Sequence, residues 1–264
     1  MLHYLFLTLS LVGTLTIYLG VPSLSPWLAL PIALGCFVAV ILCYFIFLIA
    51  STLFLLSKKP IERPNSFCRF FVWLTMDWLM TLFRVRVELR GAEKLPDEPT
   101  VMVCNHRSNL DPMTMISVMR HRPLVYISKE ANFKIPIVGP FIRHAGFVSI
   151  DRENGMRAYR ALSGAAEQMK KSGVDVGIYP EGTRSKDCKL LRFKTGAFVL
   201  AKKAEAPIAV MAVKGSELVK GRAPFRRTVV VIEVLEIVDR ESVASLSADE
   251  LSAKCREAIE AYLQ

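Results

Sequence analysis

A chain of 264 residues has room for one full domain and a shorter segment beside it. Its hydrophobic share of 52% exceeds the usual range of about 45–50%, and the excess is local, because no Asp, Glu, Lys or Arg occurs from Met1 to Ser57. The net charge of +10 therefore belongs to the rest of the chain, where no zinc-finger spacing, RNP-type strand or Gly-rich phosphate loop supports nucleic-acid binding.

Leu2–Leu19 is an apolar run of nearly spanning length. Turn residues from Gly20 to Pro26 break it. Trp27–Leu56 is a second run, long enough to cross a hydrocarbon core of about 30 Å with tilt. A cleavable signal peptide carries a basic n-region and a small-x-small site; this run has neither, so residues 1–57 are expected to form a two-helix membrane anchor. Lys58, Lys59 and Arg63 follow the second run, whereas the turn is uncharged. By the positive-inside rule the N-terminus and the domain after residue 57 face the cytoplasm, at the inner or cytoplasmic membrane. A re-entrant first helix is the competing reading.

Residues 58–84 are expected to lie along the bilayer interface. Phe70, Trp73, Trp78 and Phe83 suit that zone, and Arg69, Asp77 and Arg84 argue against a third span. A core helix is the plainer alternative. Residues 85–264 read as one α/β domain. Strands are expected at Val85–Leu89, Thr100–Cys104, Leu124–Ser128, Phe147–Ile150, Val174–Tyr179, Pro207–Val213 and Thr228–Val238. Helices are expected at Asp111–Arg120, from a cap at Asn154 to about Lys171, and at Thr195–Lys203 and Ala248–Leu263. Pro136, Gly139 and Pro140 limit Phe133–His144 to short helical pieces. This alternation predicts a central, mostly parallel sheet flanked by helices.

Three charged runs sit at strand ends, where α/β sheets place ligands. The first is Asn105-His106-Arg107-Ser108-Asn109-Leu110-Asp111. Pro112 disfavours helical geometry at Asp111, so His106 and Asp111 share a turn that can fold back on itself. A carboxylate bonded to one imidazole nitrogen fixes the tautomer and leaves the other nitrogen as a base. Taken alone, Asp111 before Pro112 is also a good helix cap and His106 a solvated loop residue. The second run is Tyr179-Pro180-Glu181-Gly182-Thr183-Arg184-Ser185. Gly182 permits close backbone approach, Arg184 offers a fork suited to phosphate, and Thr183 adds a hydroxyl. A surface turn is the plain alternative. The third is Gly146–Arg152, ending in Asp151 and Arg152, with Lys129 and Lys134 adding positive charge upstream. The six cysteines are scattered without a C-x-x-C pair, which points to no disulfide framework and no metal site, and fits a reducing compartment.

Together these blocks resemble the glycerolipid acyltransferases. NHRSNLD matches that family's H-x4-D motif, and GFVSIDR, YPEGTRS and APIAVMAV look like its second, third and fourth blocks in order. The similarity spans roughly Leu89 to Val238, with Tyr179 where the family often has Phe. The resemblance implies a membrane-bound transfer of a fatty acyl group to the sn-2 hydroxyl of 1-acylglycerol 3-phosphate (lysophosphatidate). His106 is the implied general base and Asp111 its orienting group. Lys129, Arg152, Glu181, Gly182, Thr183 and Arg184 are implied to hold the acceptor, with Arg184 on its phosphate. The implied donor is acyl-CoA or acyl-carrier protein, and no metal or organic cofactor is implied. Another lysophospholipid or glycerol 3-phosphate as acceptor, a thioester hydrolase, and a non-catalytic binder of anionic lipid are the alternatives.

Overall fold

The computed structural model describes residues 2–21, 23–55, 63–185 and 187–264, in two compact units, Met1–Lys59 and Pro60–Gln264. In the first unit α1 (Leu2–Gly20) and α2 (Ala29–Leu55) pack together, and the Ser10 hydroxyl donates to the Ala33 carbonyl at 2.7 Å. By length and composition both helices can cross a membrane, α2 continuing a short 3₁₀ turn that starts at Pro26. Lys58 and Lys59, on which the orientation argument leans, lie outside the described residues.

The second unit opens with α3 (Ser66–Leu82), capped by the Asn65 side chain, which accepts from the Phe67 and Cys68 amides. Then follow β1 (Val85–Arg90), β2 (Val101–Cys104), α4 (Asp111–Val118), β3 (Leu124–Lys129), α5 (Val138–His144), β4 (Val148–Ile150), α6 (Gly155–Ser172) and β5 (Asp175–Ile178). The chain continues through α7 (Gly196–Ala204), β6 (Ile208–Lys214), α8 (Val219–Arg222), β7 (Thr228–Val238), α9 (Arg240–Ser245) and α10 (Ala248–Leu263). The α6 boundaries follow from local chemistry: Asn154 accepts from the Arg157 amide at the start, and Gly173 adopts φ +64 at the end.

The seven strands form one sheet in the order β1-β7-β6-β2-β5-β3-β4. Every pairing is parallel except β6 with β7, so β7 and β1 run against the other five. The mostly parallel sheet that the alternation predicts is present, with this one reversal. From β2 the chain moves to β3 and β4 in one direction, then returns to β5 and β6 in the other. Right-handed crossovers therefore put α4 and α5 on one face and α6 and α7 on the opposite face. Strands buried on both sides are required, and β2, β5 and β6 are almost wholly apolar and buried. Alternate residues such as Val101, Val103, Val125, Ile127, Val176 and Ile178 pack with α6, α7 and α10. α3 joins α4 and α5, its Trp73 indole donating to the Ser117 carbonyl at 3.1 Å, while Phe67 and Phe70 stay exposed. The connection changes direction between β2 and β5, and this switch point is where such sheets open a crevice at their carboxyl ends.

Candidate active site

β2 delivers its C-terminal residues to that crevice. Asn105, buried just beyond the strand, clamps β6 in both directions: its amide donates to the Val213 carbonyl at 3.1 Å, and its oxygen accepts from the Val213 amide at 2.8 Å. His106 therefore starts from a fixed backbone position.

The following turn closes on Asp111. A single carboxylate oxygen, Oδ2, accepts from the Arg107 amide at 2.7 Å and the Ser108 amide at 2.8 Å, and lies 2.8 Å from His106 Nδ1. An ionised carboxylate only accepts, so Nδ1 carries the hydrogen and Nε2 keeps its lone pair. The Asp111 side chain is 1% exposed and that of His106 13%, so the acceptor is dry and the ring reaches the crevice. The helix-cap alternative is not what forms: Asp111 makes no side-chain cap on α4 and turns back onto the loop. α4 also ends at Val118, short of the expected Arg120.

The imidazole rests on an aromatic stack. Its ring lies 4.3 Å from that of Tyr179 at 19°, and Tyr179 stacks on Tyr126 at 5.6 Å and 7°. Burial pushes both phenols up, Tyr179 well above the usual value, and keeps them neutral. Gly177, paired with Tyr126 across β5 and β3, makes room for this ring: a Cβ there would meet it at 2.5 Å.

The loop after β5 is hydrogen-bonded to the first one. Glu181 is 4% exposed, and its two oxygens accept from the His106 amide at 2.7 Å and the Leu191 amide at 3.1 Å. Burial raises this carboxyl, and the two backbone donors act against the rise. The Ser185 amide donates to the His106 carbonyl at 3.0 Å, completing a short backbone link between the loops.

The residues picked out in the sequence thus separate into groups. His106, Asp111 and Glu181 are joined directly. Glu181, expected to hold an acceptor, has one oxygen on the His106 amide and the other on the Leu191 amide. Gly182, at φ +70, presents its carbonyl to the Arg152 guanidinium, and the Lys194 side chain lies against its α-carbon. Lys129 ends β3 and is exposed, as are Thr183 and Arg184; none of the three bonds to His106 or Asp111. Three contributors escaped the sequence reading. Asn105 and Tyr126 had a faint signal, as a polar residue closing an apolar strand and an aromatic in an aliphatic one. Lys194 had none among so many lysines.

The site can orient an imidazole, leave Nε2 free as a proton acceptor, and offer cations nearby for an anionic substrate. The sequence pattern of the acyltransferase family matches residues 86–214. The 1-acyl-sn-glycerol-3-phosphate acyltransferase of Salmonella typhimurium is 31% identical over 185 residues, 69% of this chain and 74% of that protein. The human 1-acyl-sn-glycerol-3-phosphate acyltransferase beta is 31% identical over 189 residues, 69% of this chain and 68% of that protein. The crystal structure of the 1-acyl-sn-glycerophosphate (LPA) acyltransferase PlsC from Thermotoga maritima superposes with a TM-score of 0.61 at 28% identity, covering 83% of this chain and 91% of that one.

Proposed function

The chain belongs to the acyltransferase family, and from that premise we propose that it transfers a fatty acyl group from acyl-CoA or acyl-carrier protein to the sn-2 hydroxyl of lysophosphatidate, giving phosphatidate. The observation that carries the reading is the 2.8 Å contact of His106 Nδ1 with Asp111 Oδ2 at the switch point of the sheet. His106 Nε2 takes the hydroxyl proton as the acceptor oxygen attacks the thioester carbonyl. The carbon–sulfur bond then breaks, and the departing thiolate recovers the proton from the imidazolium. Asp111 holds the ring and stabilises its charge while the proton is on it. No covalent enzyme intermediate, metal or organic cofactor enters the cycle.

Lys129, Arg152 and Arg184 are the cations assigned to the acceptor's phosphate, with Gly182 and Thr183 on the same loop. Arginine suits this task through its planar fork. The two apolar helices of residues 1–57 anchor the enzyme in the cytoplasmic membrane with the catalytic domain inside, and the exposed Phe67 and Phe70 of residues 58–84 face the bilayer interface.

The test is acyl transfer by the detergent-solubilised full chain from labelled oleoyl-CoA, with lysophosphatidate, glycerol 3-phosphate and lysophosphatidylcholine as parallel acceptors. Phosphatidate formed from lysophosphatidate alone is the expected result. Transfer to a different acceptor would overturn the acceptor assignment and leave the chemistry in place. No transfer from either oleoyl-CoA or oleoyl-carrier protein would overturn the reading.

A further inference from the structure

A separate basic surface lies at the same end of the sheet as the crevice, two strands to the side of β2. β7 runs against β6 and pairs with β1 in parallel, so the starts of β7 and β1 sit at the end where β2 delivers His106. The Thr228 amide, opening β7, donates to the Arg84 carbonyl at 3.0 Å, and the Arg84 guanidinium donates to the Phe225 carbonyl at 3.2 Å. The loop before β7 is thereby pinned beside the start of β1. From Leu218 to Thr228 the chain reads LVKGRAPFRRT, with four cations and no acid. Lys220, Arg222, Arg226 and Arg227 are all exposed, and their side chains form no hydrogen bond or ion pair among the described residues. Arg227 also lines a notch of about 280 Å³ with Arg84 and Arg86. Glu88 is shared between Arg86 at 3.4 Å and Arg90 at 2.9 Å, so the notch keeps an excess of positive charge. Among these cations stands Phe225, 85% exposed.

An aromatic tip ringed by Arg and Lys matches an anionic bilayer interface, where the ring enters the acyl boundary and the cations stay at the phosphates. Area selects lipid over an acidic protein. A protein interface of standard size covers about 800 Å² on each side with an apolar centre, and one phenylalanine supplies only about 150–250 Å². A bilayer requires no such matched surface. The surface is also continuous with residues 58–84, since α3 ends at Leu82 and only Phe83 separates it from Arg84. We propose that this surface docks the catalytic unit on anionic phospholipid, with Phe225 in the interface and a headgroup phosphate in the notch between Arg84 and Arg227. Docking there holds the crevice beside the leaflet that contains the acceptor. The inference rests on the membrane-bound acyltransferase reading above and adds which surface of the catalytic unit meets the lipid.

The test places the photoreactive residue p-benzoylphenylalanine at position 225 of the full-length chain in nanodiscs and, as a control, at the exposed Glu257 of α10. Light should crosslink position 225 to labelled phosphatidylglycerol, with a yield that falls as salt screens the arginines, while position 257 captures little. Equal capture of lipid at both positions would overturn the proposal. So would capture of acyl-carrier protein in place of lipid at position 225 when both are present. Kinetics supply a second readout. In Arg226→Ala/Arg227→Ala, kcat/KM for 1-oleoyl lysophosphatidate in phosphatidylglycerol nanodiscs should fall by at least about tenfold, while kcat/KM for dissolved 1-hexanoyl lysophosphatidate stays at the wild-type value. An equal fall for both acceptors, or no fall for either, would overturn the proposal. Wild type that acylates neither acceptor would instead defeat the acyltransferase reading, while the crosslink still decides the docking surface.

Discussion

Asp111 Oδ2 collects three donors, and its geometry governs what His106 can do. Two backbone amides and an imidazole N–H converge on one oxygen, which fixes the ring plane and the tautomer together. Asp111→Asn keeps an acceptor for the amides but removes the charge that stabilises the imidazolium. kcat should fall by about 10²–10⁴-fold with little change in acceptor KM, as measured by steady-state transfer. The pair was legible in the sequence because five-residue spacing before a proline forces a turn. The contacts of Glu181 were not, because its partners are amides 75 and 10 residues away in the chain. Glu181→Gln must point an NH₂ at one of those amides, leaving a buried donor unmatched at a cost of about 1–3 kcal/mol, visible as a lower denaturation midpoint. Its pH dependence has a definite sign. Burial raises the folded-state carboxyl, so the native protein keeps this proton where the unfolded chain has lost it. Stability from this group is full below the ordinary carboxylate range and is lost as pH rises through the raised value. Glu181→Gln should lack that acid-side slope in denaturation midpoints measured against pH; an identical slope would contradict the burial of a titrating group there.

Among the elements, the amino ends of the central strands are tied as firmly as their carboxyl ends are open. Asp175, at the start of β5, accepts from the Thr100 amide at 2.9 Å and from Arg122 through both oxygens, at 2.6 and 2.8 Å. Arg122 also reaches the carbonyls of Pro96 and Glu98. The approaches to β2, β3 and β5 are thereby stapled at the edge away from the site. Asp175→Asn strands a half-buried guanidinium and should cost about 3–5 kcal/mol in urea denaturation, with kcat of the remaining folded protein little changed. A loss under 1 kcal/mol would show that the staple is dispensable. The strands themselves were readable, since apolar runs of four to seven residues bounded by turn residues have few other uses. Their order was not. Nothing in Thr228–Val238 announces that it lies between β1 and β6 and reverses the sheet, because neighbours in space are set by packing rather than by local pattern.

For the whole molecule, the division into an uncharged helical segment and a charged α/β unit follows directly from where the charges stop. The core of the second unit also governs its thiol chemistry. Burial pushes the Cys68 thiol up to about 11, Cys255 up to about 12, and Cys104 well above its ordinary value. Cys188 is the half-buried exception in this unit. Because the thiolate is the nucleophile, iodoacetamide at mildly alkaline pH should label Cys188 and spare the other three, as read by peptide mass. Labelling of Cys255 as fast as Cys188 in the native protein would contradict the packing of α10 on the sheet.

His106 is the proposed base of the acyl transfer, and its role is tested by the transfer rate of His106→Ala beside wild type, with lysophosphatidate and labelled oleoyl-CoA at saturation. A loss of at least about 10²-fold in kcat with an unchanged melting temperature is expected. A variant that folds alike and transfers at the wild-type rate would contradict it.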